Sequence, residues 1–271
     1  FDTVLFRQIF KYSYPLLIAG LAGTVNEALD RVLLKHLIPM EQNPMEQLGI
    51  YGANYKLAVL MTLFVQMFKY AAEPFFFSKA EDRNAKELYA DVMLFFVLSG
   101  LFIFLLVNLY LDYFILFIGA DVREGVQIVP VVLMANLVMG IFFNLSIWYK
   151  LTNLPRFGAV LVLMGALITI AINTVFIPKY GYLASAWAHL ICYITMVLVS
   201  YLWSRKHYAI HYRVLRILAY MGLAIVIYLS NRLFLQDMEG SRNLWALLLL
   251  LIFGIVAFAG ERKALTKYNS T

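Results

Sequence analysis

The stretch DVMLFFVLSGLFIFLLVNLYL (Asp91–Leu111) decides the fold. After its first residue it carries no charge over the about 20 residues that a helix needs to cross the hydrocarbon core. It is continuously apolar rather than alternating, so it reads as a helix and not as a barrel strand. Working outward, seven further runs read the same way: Tyr14–Ile38, Ile50–Phe77, Gly125–Trp148, Gly158–Ile177, Tyr182–Trp203, Val214–Asn231 and Leu244–Gly260. The fold class is therefore an all-α integral membrane protein with about eight transmembrane helices. Breakers fall between the runs: Pro39 and Pro44, Pro155, and Pro178 before Gly181. The apolar patch Tyr113–Gly119 is too short to span and is expected at the membrane interface.

Composition agrees. The chain is 63% hydrophobic and only 14% charged, against about 25% charged in soluble domains. Soluble and disordered classes are thereby excluded. The one cysteine, Cys192, excludes a disulfide framework, and the four histidines have no zinc spacing. The net charge of +6 sits mostly between apolar runs, so it reads as a topology signal and not as a nucleic-acid face. The chain opens on Phe1 and no signal peptide precedes the first run, so a piece of a longer protein is expected. Residues 1–271 form a single membrane domain, with no long polar linker inside it.

Lysine and arginine orient the spans. Arg7, Lys11, Lys79, Arg83, Lys86, Lys150, Arg156, Arg205, Lys206, Arg213, Arg216, Arg262, Lys263 and Lys267 fall on one side, and Arg123, Lys179, Arg232 and Arg242 on the other. The positive-inside rule makes the first side, and both ends of the chain, cytoplasmic.

The remaining cations, Arg31, Lys35, Lys56 and Lys69, lie inside the first two spans together with Glu27, Asp30 and Glu73. A charge at the bilayer centre costs about 2.5–3.5 kcal/mol on insertion scales, so these residues face a cavity or a partner. Glu27, Arg31 and Lys35 recur every fourth residue and share one helix face, with Asn26 and Asp30 on a neighbouring one; Lys69 and Glu73 repeat the spacing. One reading is internal ion pairs, Glu27–Arg31 and Lys69–Glu73. The other is a cavity with surplus cations, suited to an anionic substrate such as a phosphate. Lys35 and Lys56 also lie near span ends, where they could snorkel to the headgroups. Pro74, after Glu73, marks either a kink or a helix end, and Pro130 is equally open.

Asn136, Asn144, Asn173 and Ser185 read as interhelical glue. His189, one turn from Ser185, is either a hydrogen-bonded structural residue or a proton carrier. Tyr14, Tyr110, Trp148, Tyr149 and Trp203 are expected as interfacial anchors. Gly20, Gly23, Ala184, Ala186 and Ala188 permit close helix approach. No nucleotide loop, HExxH or GxSxG motif is present, and no catalytic residue or metal site is predicted. Transport is favoured over catalysis.

The run KYSYPLLIAGLAG (Lys11–Gly23) is followed by NEALDRVLL (Asn26–Leu34), LGIYGANYKLAVL (Leu48–Leu60) and Pro74. INTVFIPKYGYLASAWAHLICY (Ile172–Tyr193) then closes the series. In order and spacing the chain resembles the C-terminal half of O-antigen-type polysaccharide-biosynthesis flippases, within the multidrug/oligosaccharidyl-lipid/polysaccharide exporter superfamily. The resemblance implies the C-terminal lobe plus two extra helices of a fourteen-helix transporter: residues 1–203 as a six-helix lobe, 204–271 as the two additional helices and tail. It implies translocation of a polyprenyl-diphosphate-linked oligosaccharide across a bacterial cytoplasmic (inner) membrane by alternating access, driven by Na+ or H+. Arg31, Lys35, Lys56 and Lys69 would then attract the diphosphate. Asp30 and Asn173 are the positions expected to hold the coupling ion. Implied partners are the lipid-linked oligosaccharide, membrane lipids and polysaccharide polymerase machinery, with no cofactor and no nucleic acid. A multidrug or metabolite antiporter of the same superfamily would instead carry net negative charge in its cavity. A membrane-bound sugar polymerase or acyltransferase would show a large extramembrane loop or a clustered His/Asp/Glu set.

Overall fold

A computed structural model describes residues 2–234 and 242–268, with side chains described except at positions 8, 12, 15–16, 18–19, 21–27, 234 and 263–268. Helix α1 (Thr3–Leu37) opens on Asp2, whose carboxylate accepts hydrogen bonds from the backbone N–H groups of Val4 (2.9 Å) and Leu5 (3.1 Å). It stops at Ile38, held extended by the proline that follows. Then come α2 (Pro44–Leu57), α3 (Val59–Ser78), α4 (Ala85–Leu109) and the short α5 (Leu111–Phe114). Two 3-10 segments, Ile115–Phe117 and Ala120–Ile128, lead into α6 (Val129–Leu145) and α7 (Ile147–Leu151). Helices α8 (Pro155–Tyr180), α9 (Tyr182–His207), α10 (Val214–Phe234) and α11 (Arg242–Tyr268) complete the chain. There is no strand among the described residues. Prolines 44, 130 and 155 occupy the first turns of α2, α6 and α8, where a missing N–H costs nothing. Pro130 is thus a plain helix start.

Six helical stretches are long and apolar enough to cross a bilayer: α4, the run 120–151 through α6 and α7, α8, α9, α10 and α11. The pair α2 and α3 makes a seventh if taken as one broken span. The architecture is that of a multi-pass helical membrane protein. The expected eighth span falls on α1, which is not among these. At 35 residues it is long enough, about 52 Å. Its second half, however, carries Asp30, Arg31 and Lys35.

The expected second span, Ile50–Phe77, is not one rod. It bends by 56° between Leu57 and Val59, at Ala58 (φ −87°, ψ 4°), with neither proline nor glycine there. Pro74, the residue singled out for a kink, lies inside α3, one turn before its end. Tertiary contacts account for the break. Asn54, fully buried, donates to its own Ile50 carbonyl (2.8 Å) and to Val122 O (2.7 Å), tying α2 to the 3-10 segment 120–128. Gly125 permits that approach, because a Cβ there would collide with Ile50 and Asn54. Beyond the break, α3 packs against α6 and α4 instead.

Helix α6 is the central post, packed on α9, α3 and α4 and buried around almost its whole circumference. Helix α1 runs along α8, and α8 along α9, with Ala184, Ala186 and Ala188 buried. A Cβ on Gly20 would meet open space among the described residues, and Gly23 lies where only the backbone is described. Between α8 and α9 the chain turns on Gly181 (φ +55°), where the Gln47 side-chain oxygen accepts from the Tyr182 N–H at 3.2 Å and so caps α9. Helix α10 packs on α4, and α11 on α4 and α10. Trp148 and Tyr149, expected at the interface, are core residues. Trp148 is fully buried and donates its indole N–H to Ser200 Oγ (3.1 Å); no water is needed to satisfy it.

Candidate functional site

Neighbouring residues on a helix point about 100° apart, and α1 uses this at Asp30 and Arg31. Asp30 turns inward and is buried (1% exposed), while Arg31 turns outward. The Arg31 N–H donates to Asp30 Oδ1 at 3.0 Å. Across the interface, Tyr51 and Tyr55 stand one turn apart on α2. The Tyr51 hydroxyl donates to Asp30 Oδ2, and the Arg31 guanidinium lies 5.2 Å from the Tyr55 ring centre. From α9, His189 brings Nδ1 to 3.4 Å from the same Asp30 Oδ2. Its Nε2 is 2.8 Å from the Tyr193 hydroxyl. Asp30, Tyr51, His189 and Tyr193 are all buried.

The imidazole Nε2 stands within hydrogen-bond distance of the Tyr193 hydroxyl, while Nδ1 lies near Asp30 Oδ2 without making a hydrogen bond to it. His189 is thus neither isolated nor merely hydrogen-bonded within its own helix: it joins α9 to α1.

Asn173, the other residue expected to hold the coupling ion, stands apart from that constellation. It is fully buried on α8 and accepts from the Ser185 hydroxyl at 3.4 Å. Its Nδ2 and, one turn earlier, Thr169 Oγ1 have no hydrogen-bond partner among the described residues. Ser185 sits one turn before His189 on α9, so one helix face joins the Asn173 and Asp30 groups. Among the described residues no three His, Cys, Asp or Glu side chains stand together as metal ligands.

The four expected diphosphate residues divide into two neighbourhoods. Arg31, Lys35 and Lys56 are exposed on α1 and α2, with Arg31 over Tyr55. Tyr55 donates to Asn136 Oδ1 of α6 (3.4 Å), and Asn136 Nδ2 donates to Thr62 Oγ1 (3.1 Å). Lys69 is half-buried on α3, its ammonium 4.5 Å from the Phe143 ring centre. Asn136 and Phe143 are two turns apart on α6, about 10 Å along its axis. Lys69 does not pair with Glu73 as its spacing suggests: Glu73 binds Lys150 of α7 at 2.8 Å. These three side chains, with Phe143 and Asn144, line a water-sized cavity of about 20 Å³. Glu27 lies outside the described side chains, and its pairing with Arg31 stays an expectation.

A second charged cluster was not anticipated from the sequence. Asp91 and Glu261 are buried (2% exposed each) at the ends of α4 and α11. Arg213, just before α10, lies 2.7 Å from Asp91 and 3.3 Å from Glu261. Arg216 reaches Glu261 at 3.0 Å, and the Tyr220 hydroxyl donates to it at 3.2 Å. Burial pushes the neighbouring Tyr212 phenol well above its usual range, so it remains a neutral donor. The available signal was topological: residues 91, 213 and 261 all sit at span ends on the same side. The tyrosines around Asp30 were missed because tyrosine counts as apolar in a span. The four-residue spacings of Tyr51 to Tyr55 and of His189 to Tyr193 were the clue.

Compared with known proteins, the chain matches no family model, no curated protein and no solved structure.

Proposed function

We propose that the protein is an ion-coupled membrane transporter that moves a polyprenyl-diphosphate-linked oligosaccharide across a bacterial cytoplasmic membrane. The observation that carries this reading is the buried Asp30–His189 contact of 3.4 Å, one residue from an outward-facing arginine. Ionisable groups inside a spanning bundle mark ion pathways or substrate sites. The break between α2 and α3 adds support, since discontinuous helices frame the binding sites of transporters. Counting α1 and the broken pair as spans brings the total to eight, as the flippase resemblance implies. Both ends are then cytoplasmic, and α10 and α11 are the two helices added to a six-helix lobe.

In this reading Arg31 meets the diphosphate with its two-pronged guanidinium, Lys35 and Lys56 add charge beside it, and Lys69 takes the next position along α6. The coupling ion is a proton, held between Asp30 and His189. Nothing is transformed, so the protein is a carrier and not an enzyme. Polymerase machinery takes the delivered lipid-linked sugar.

The test uses the protein in proteoliposomes with a fluorescent polyprenyl-diphosphate sugar and an external quencher. Movement is expected under a pH gradient and not under a sodium gradient, and it is expected to fail in Arg31→Ala. Gradient-driven efflux of a small cationic dye, with no movement of the lipid-linked sugar, would transfer the protein to the drug-exporter class.

A further inference from the structure

The turn between α8 and α9 is built around Gly181, whose left-handed backbone (φ +55°) and missing Cβ leave room for the Gln47 side chain of α2. That amide is held at both ends: Nε2 donates to Gln42 O (3.2 Å), and Oε1 accepts from the Tyr182 N–H (3.2 Å). Gln127 of the 120–128 segment donates to the Tyr182 hydroxyl (3.3 Å). Three elements are thereby tied together around an open cleft of about 460 Å³ at this end of the bundle. Glu46, Glu124 and Lys179 stand on its wall, all exposed. Among the described residues none of the three has an ion-pair partner.

Toward the middle of the helices the surface changes character. Tyr180 and Leu183 belong both to the cleft and to a furrow of about 320 Å³ that runs on between α8 and α9. Phe176 and Tyr180 of α8 and Trp187 and Ile191 of α9 line it and are exposed, and the buried Ala184 supplies a small residue among them. A small side chain flanked by large ones makes this surface concave rather than a flat apolar wall. From Tyr182 to Ile191 the helix advances about 13 Å, against about 15 Å for half the hydrocarbon core. Polar cleft, aromatic rings and apolar furrow thus follow one another in the order of headgroup, interface and acyl chain.

We propose that this surface seats one phospholipid with a zwitterionic ethanolamine headgroup: the ammonium on Glu46 and Glu124, the phosphate toward Lys179, and an acyl chain in the furrow. Charge selects the headgroup. Two carboxylates against one ammonium leave the cleft with a surplus of one negative charge. That surplus repels a headgroup with only a phosphate's charge, and it attracts one whose cation can donate N–H bonds to carboxylates. A choline headgroup has the positive charge but no N–H to donate. The inference does not depend on what the protein transports.

The experiment loads the purified protein with phosphatidylethanolamine, phosphatidylcholine or phosphatidylglycerol of the same chains and counts retained lipid by native mass spectrometry. Pairs of exposed charges contribute modestly, so about fivefold stronger retention of phosphatidylethanolamine than of either other lipid is expected. Glu46→Gln combined with Glu124→Gln should erase that preference, and Trp187→Ala should weaken all three lipids alike. These side chains are exposed, so the thermal midpoint of each variant without lipid should match that of the parent. Equal retention of the three lipids overturns the proposal, as does a preference that survives the double variant. Free phosphoethanolamine raising the midpoint as far as the whole lipid overturns the role of the furrow. A dimer appearing in place of bound lipid would put a second copy on the furrow and overturn the occupant.

Discussion

Asp30 and Asp91 are almost equally buried, yet one meets an imidazole and a phenol while the other meets a guanidinium. An imidazole takes up and releases protons near neutral pH; a guanidinium does not. The Asp30 group joins α1, α2 and α9 around a ring that can both donate and accept. The group of Asp91, Glu261, Arg213 and Arg216 clasps α4, α10 and α11 through guanidinium–carboxylate pairs. Equal burial thus covers two different kinds of partner.

Four substitutions set these two regions against each other. Arg213→Leu removes the 2.7 Å pair to the buried Asp91 and one of the two arginines on Glu261, a loss of about 3 kcal/mol of stability. Thermal unfolding reads it, and an unchanged midpoint would mean the clasp holds nothing. Asp30→Asn should behave in the opposite way. The amide oxygen still accepts from Tyr51, so the unfolding midpoint moves less than in Arg213→Leu, while on the proposed function proton-driven movement is lost. A variant that unfolds early but still transports would reverse the roles assigned here. Tyr51→Phe removes one hydrogen bond to a buried carboxylate, about 1.5 kcal/mol. Arg216→Gln is the smallest change, below about 1 kcal/mol, because that side chain is 55% exposed and Arg213 still reaches Glu261.

The spans were legible because apolarity over about 20 residues is a local property of the chain. Their edges at α4, α8, α9 and α10 moved only by a few residues. The break at Ala58 was not legible. It is made by Asn54 reaching Val122 and by Gly125 admitting it, across 68 positions of sequence. The Lys69–Glu73 spacing suggested a pair within one helix, but α7 supplied Lys150 at closer quarters. Trp148 read as an interfacial anchor because it sits near a span end, whereas its indole N–H has a buried partner in Ser200.

The sequence alone determined that this is a helical membrane protein, that its charges inside spans concentrate near the N-terminal end, and that Asp30 is one of them. Those follow from composition and period, which neighbours in the chain decide. Only the tertiary structure decided that Asp30 faces His189, that Arg31 faces Tyr55, and that Asp91 and Glu261 share Arg213. A buried charge is stabilised by whatever packing brings within a few ångströms, and packing joins residues that the chain keeps more than a hundred positions apart.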